Sequence, residues 1–153
     1  MRLVKSGLIA IVTGVVAAFS AVSSASDEYR LSAFADVSGY AQIKSNNIEE
    51  AKEFIVARSG KKMDFLELNN LCVLELLVED FSSAIEICEA ALGKSTSTRG
   101  IGFGAKKKIE ASIHSNLAVA KALSGDLEGA EIELEMALSL NSLDSNAKAN
   151  LEW

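Results

Sequence analysis

Three times in this chain a residue able to cap a helix is followed by a large apolar residue, two spacers and an alanine. The three are Asn47-Ile48-Glu49-Glu50-Ala51, Asp80-Phe81-Ser82-Ser83-Ala84 and Asp126-Leu127-Glu128-Gly129-Ala130. The alanines stand 33 and then 46 residues apart, a period that marks stacked supersecondary units. Asn or Asp at the head of each run can accept hydrogen bonds from the free N–H groups of a first helical turn, and Glu50 completes a capping box with Asn47. Twelve residues before each alanine lies another compact residue, Gly39, Cys72 or Ala118. In a two-helix hairpin that offset sets small against small and lets the backbones close to the short end of helix packing distances. Ile55, Cys88 and Leu134, four beyond each alanine, fill the flanks.

Apolar residues recur three and four apart through a background rich in Ala, Leu, Glu, Lys and Ser, and the chain has no proline. This is an all-α pattern. It predicts helices at about 29–44, 47–59, 63–78, 80–93, 104–124, 126–140 and 144–152. Gly60, Gly93 and Gly125 fall where a left-handed residue ends a helix without a Cβ penalty. Connections this short make neighbouring helices antiparallel pairs. The 46-residue step leaves residues 93–104, rich in Gly, Ser and Thr, as an insertion loop.

Ahead of these units, Met1-Arg2-Leu3-Val4-Lys5 leads into an apolar stretch from Gly7 to Val22 and then into Ser23-Ser24-Ala25. A cationic head, an apolar middle and small residues before a polar break describe a signal peptide cut after Ala25, hence an exported, periplasmic protein. A retained anchor fits less well, because Ser6, Thr13, Gly14 and Ser20 interrupt a run already shorter than the roughly 20 residues of a span. Cleavage leaves residues 26–153 with 13 basic and 21 acidic side chains, a net charge of −8. That size buries one core. The acidic field and the lack of a basic stripe with aromatics exclude nucleic acid as a partner, and no stable membrane span remains.

The segment Asn116-Leu117-Ala118-Val119-Ala120-Lys121-Ala122-Leu123-Ser124-Gly125-Asp126-Leu127-Glu128-Gly129-Ala130, followed by Leu134, Ala137 and Leu138, resembles the tetratricopeptide repeat, a helix-turn-helix unit. Asn70-Leu71-Cys72 through Ala84, Cys88, Ala91 and Leu92 is similar, and Gly39 through Ala51 and Ile55 resembles a more degenerate copy in which Arg58 replaces the alanine. Asn150-Leu151 repeats Asn116-Leu117 after 34 residues, the start of a fourth unit. The resemblance implies a right-handed superhelical solenoid of antiparallel helix pairs, with units at about 29–60, 63–93 and 104–140 and a C-terminal cap helix at 144–152. Departures from the family are the missing early Trp or Tyr, Lys121 and Glu75 in place of a common Tyr, and Ser142 in the usual Pro position.

The family's inner groove implies a protein or peptide partner. Asn70 and Asn116 are equivalent and, by the resemblance, bond the backbone of an extended peptide, since an amide both donates and accepts; polar relief on a half-exposed helix face is the other reading. Val37 stands at that position in the first unit, which argues against a continuous ladder. Tyr40, Ile43, Asn69, Val73, Leu76, Leu77, Ser115, Val119 and Leu123 complete an expected groove surface that suits an apolar peptide or a partner helix. Self-association through the groove or the incomplete fourth unit is the alternative.

Catalysis finds little to use. His114 is the sole histidine and reads as a packing residue; no metal-ligand cluster, nucleophile triad or phosphate loop accompanies it. The sequence therefore implies no enzyme activity, no cofactor and no metal. Cys72 and Cys88 lie on opposing helices of one unit, where a disulfide is geometrically open and two buried thiols are equally so. Lys106-Lys107-Lys108 sits at a predicted helix start, against the macrodipole, either as a solvated run or as a patch for an anionic partner.

Overall fold

The structure, a computed structural model, describes residues 28–153. The expected signal peptide and its cut lie outside the described residues. The described chain is all-helical, with seven helices: α1 (Tyr40–Ser45), α2 (Ile48–Arg58), α3 (Phe65–Leu77), α4 (Phe81–Ser97), α5 (Phe103–Ser124), α6 (Leu127–Leu140) and α7 (Ser145–Glu152). None of them is long and apolar enough to cross a membrane.

The repeated pentapeptides do what their chemistry predicts. Asn47 Oδ1 accepts from the N–H groups of Glu49 and Glu50, Asp80 from Ser83, and Asp126 from Gly129. Glu50 answers Asn47 through the side-chain amide instead of the backbone. The full capping box belongs to Asp64 and Glu67 at the head of α3, a pair the sequence reading missed. One residue before each repeated cap, the backbone turns left-handed: Asn46 at φ 51°, Glu79 at φ 64° and Gly125 at φ 95°. Those three are equivalent positions, and only one is glycine. The shared turn matters more than the residue that makes it.

Each helix packs on the next, and α3, α5 and α7 also touch in succession. The small residues lie where close approach needs them, with Cys72, Ala84, Ala118 and Ala51 at 1 % exposure or less. One apolar cluster joins Phe65, Cys72, Leu76, Ala84, Cys88, Ala91, Ile113, Leu117, Val119 and Ala120. A second joins Ala111, Ala118, Ala130, Leu134, Ala137 and Ala147 under α7. Cys72 and Cys88 are bonded, with Cα atoms 5.4 Å apart. A 16-residue closure of this kind stabilises by about 3 kcal/mol.

Two expected boundaries move. The helix expected at 29–44 is only Tyr40–Ser45, because Asp36 (φ 60°) and Gly39 (φ 90°) are left-handed and break it. A Cβ on Gly39 would come within 3.2 Å of Leu74 Cδ1 and 3.4 Å of Phe54 Cε1, so the glycine serves both the turn and the packing. At the other site, α4 runs on to Ser97 through Gly93, and the expected loop 93–104 shrinks to 98–102. Lys106 explains part of that extension: its Nζ donates to the Thr96 and Thr98 carbonyls at the end of α4, where a cation is favoured. Lys107 stands over the Phe103 ring, and Lys108 is exposed.

Candidate functional site

With residues 29–35 freed from the helix, their backbone needs other partners, because a half-buried N–H or C=O left unpaired is costly. Helices α7, α5 and α3 supply them. Asn150 Oδ1 accepts from the Arg30 N–H and its Nδ2 donates to the Arg30 carbonyl, at 2.6 and 2.8 Å. Asn116 does the same for Ser32, both bonds at 2.8 Å. Asn70 repeats it on Phe34, at 2.8 and 2.9 Å. Three equivalent asparagines on α7, α5 and α3 thus read residues 30, 32 and 34 of an extended strap.

The alternation has a simple cause. In an extended chain the N–H and C=O of one residue point to the same edge, and those of the next residue point to the other. Amides set along one side therefore engage every second residue. Each carboxamide also spends its second N–H: Asn116 on Asn69 Oδ1, Asn150 on Ser115 Oγ, Asn70 on the Ser38 carbonyl. Asn69 donates to the Ser32 carbonyl, and Asn146 to the Leu31 carbonyl and Ser32 Oγ. Asn69, Asn70 and Asn116 are wholly buried and Asn150 is 4 % exposed. A buried polar network with its members satisfied in this way fixes one arrangement and is costly to break.

The strap also carries apolar weight. Tyr29, Leu31 and Phe34 pack against the main cluster, and the Tyr29 ring meets Trp153 edge-on with centroids 5.3 Å apart. Arg30, by contrast, is exposed.

The residues expected to line a groove separate into distinct roles. Asn69, Asn70, Asn116 and Ser115 join the network on the strap, and Asn150 adds a third rung at the C-terminal end of the row, away from Val37. Val73 is sealed inside and offers no surface. Leu76 and Val119 belong to the core cluster. Tyr40, Ile43 and Leu77 are half-buried around α1 and the end of α3. Leu123 lies elsewhere, in the cleft described next.

Beside α7 an open cleft of about 530 Å³ is lined by Ala118, Val119, Ala122, Leu123, Leu127, Ala130, Glu131, Leu134, Asn150, Leu151 and Trp153. Its rim is apolar and wet: Leu127 is 70 % exposed, Leu151 51 % and Trp153 42 %. Two of its residues, Asn150 and Trp153, are also the ones that hold the start of the strap.

Arg30 on the strap and Glu131 in the cleft wall are ionisable, and the paired or buried charges elsewhere include His114, Lys121, Glu133 and Glu75. His114 Nδ1 and Lys121 Nζ both approach the Glu133 carboxylate, at 2.7 and 2.6 Å; the carboxylate only accepts, so the imidazole proton sits on Nδ1. Burial alone would raise the Glu133 carboxyl, but the hydrogen bonds from His114 and Lys121 outweigh it and hold the group below its ordinary 4.5. His114 thus braces α5 on α6. Glu75, 6 % exposed, is pushed up to about 7 by burial and then by the nearby Asp80 carboxylate. Among the described residues no group of three or more His, Cys, Asp or Glu side chains is placed to hold a metal ion. No family model, no curated protein and no solved structure matches this chain.

Proposed function

We propose that this chain is a non-catalytic, tetratricopeptide-like solenoid of about three units and a cap helix, which binds an extended peptide or protein segment in the periplasm as an adaptor or scaffold. The observation that carries the reading is the set of paired bonds from Asn70, Asn116 and Asn150 to single residues of an extended chain. Such pairs recognise backbone in strand conformation whatever its sequence, and peptide recognition along an element's edge works in this way. Side-chain pockets then give selectivity. Bidentate backbone capture is a binding device, and it assembles no nucleophile or acid-base pair.

Selection of displayed peptides on the purified protein tests this reading, with photo-crosslinking to locate what is captured. Enriched peptides that crosslink along α3 and α5 support it. Failure to enrich any peptide, with the strap weakened as described below, sinks it.

The second reading is self-association, and the open cleft at α7 favours it, since Leu127, Leu151 and Trp153 expose an apolar rim of the kind that marks contact sites. Light scattering at micromolar concentration separates the two. A dimer that Leu127→Glu returns to monomer supports self-association, and a wild-type monomer rules against it.

A further inference from the structure

Residues 29–35 occupy the asparagine row in the manner of a ligand while remaining covalently part of the chain. Three features indicate that they can leave. Six of the bonds that hold them reach backbone atoms of Arg30, Ser32 and Phe34, so another extended chain presents the same groups. The segment joins α1 through two left-handed residues, Asp36 and Gly39, so it is a separate extended limb, not a continuation of a helix. At the other end, Asn150 and Trp153 both hold the strap and line the open cleft.

We propose that residues 29–35 are a resident pseudo-ligand, and that the external ligand is an extended peptide with apolar side chains at its first, third and sixth positions, which enters at the cleft and displaces the strap from Arg30 toward Phe34. The pattern is that of Tyr29, Leu31 and Phe34, the strap side chains that pack on the core. The second position is unrestricted, as exposed Arg30 is. The fourth is small and polar, because Asn146 Nδ2 donates to Ser32 Oγ. The cleft is the entry because a chain lying against Leu127 and Leu151 meets Asn150 and Trp153 first, and loosening those two frees the strap end without disturbing the Asn70 rung. The inference rests on the peptide-binding reading and adds to it the identity of the competitor and the chemistry of the ligand.

A tethered competitor acts at an effective concentration of roughly millimolar, so the intact protein holds a free peptide weakly. The test uses a fluorescent nonapeptide with the sequence of residues 28–36, titrated by polarisation into the chain expressed from its full sequence and into its Leu31→Ser/Phe34→Ser variant. The expected result is at least tenfold tighter binding to the variant, with a scrambled peptide of the same composition at least tenfold weaker than the nonapeptide. Equal affinity for wild type and a cooperatively folded variant overturns the proposal, and so does equal affinity for the scrambled peptide. If the variant does not fold, hydrogen exchange on the wild type decides. Amides of Arg30, Ser32 and Phe34 exchanging at least tenfold faster than the core amides of α3 and α5 support a strap that opens on its own, and exchange at one common rate overturns it. Selection that enriches other peptides on the variant while the nonapeptide fails removes the pseudo-ligand and leaves the binding module standing.

Discussion

The asparagine row and the α7 cleft are two surfaces left by the same stacking of helix pairs, yet one is sealed and the other open. Along the row, the amides of Asn150, Asn116 and Asn70 face residues 30, 32 and 34, and each Nδ2 finds two acceptors. In the cleft the walls are mostly aliphatic and the rim is wet. Directional groups demand a partner of fixed geometry, because an unmet buried amide costs more than a met one returns. Apolar walls ask only for cover. A surface of the first kind is therefore closed within the folded chain, while one of the second kind is tolerated in water.

The largest expected effect lies on the closed side. Asn116→Ala removes bonds to the Ser32 N–H and carbonyl and to Asn69 and should cost about 3 kcal/mol, a fall in Tm of about 10 °C for a domain of this size. Thermal unfolding followed by circular dichroism checks it; a loss under about 1 kcal/mol would mean that the strap rests on its apolar side chains alone. Cys72→Ser/Cys88→Ser should cost a similar amount, about 3 kcal/mol, because the bridge ties α3, which carries Asn69 and Asn70, to α4. Denaturant unfolding with and without reductant measures it, and an unchanged midpoint would show that the row needs no such brace.

Glu75, buried on α3, gives a smaller, pH-dependent effect. Its folded pKa of about 7 lies above the ordinary 4.5, so the fold favours the protonated acid. That stability is fully present below 4.5 and is lost as pH rises through 7, a decline of roughly 1–3 kcal/mol. Glu75→Gln should flatten this slope, and an identical slope in the variant would assign it to another group. Glu133 acts in the opposite sense, lending stability above 4.5 that fades as pH drops below it.

At the left-handed turn before α4, Glu79→Gly should stabilise by about 0.5–1 kcal/mol, as the Cβ strain it relieves exceeds the added freedom of the unfolded chain. A loss of stability would show that the Glu79 side chain contributes more than its backbone strain costs. Least of all, Leu127→Ser on the cleft rim should change stability by under about 0.5 kcal/mol. A larger loss would mean that the cleft, too, is part of the closed core.

The helix pairs were legible because caps, small-residue offsets and apolar spacing are local signals, and Asn47, Asp80, Asp126, Cys72 and Ala118 all act where their chemistry put them. Gly93 misled, since a glycine inside a helix looks the same as one that ends it until the Lys106 contact across the turn is known. The strap was illegible to a helical reading because its partners lie 36 to 120 residues away. One signal could have found it. Tyr29-Arg30-Leu31-Ser32-Ala33 alternates apolar and polar, the period of an extended segment, and three equivalent asparagines offered something for it to bond. The sequence reading aimed Asn70 and Asn116 at a separate peptide, and in the structure they bond residues 34 and 32 of their own chain.

The bond from Asn150 to Arg30 spans 120 residues, and this sets an order in time. During synthesis at 5–20 residues per second, Arg30 precedes Asn150 by roughly 6–24 s. Helix pairs made from neighbouring sequence can form in that interval, whereas the strap waits for the last helix before its first rung exists. Until then the amides of α3 and α5 face either water or a passing strand. The fold therefore closes by joining two segments far apart in sequence, so a truncation that spares every helix pair but removes α7 would leave Arg30 without its rung from birth.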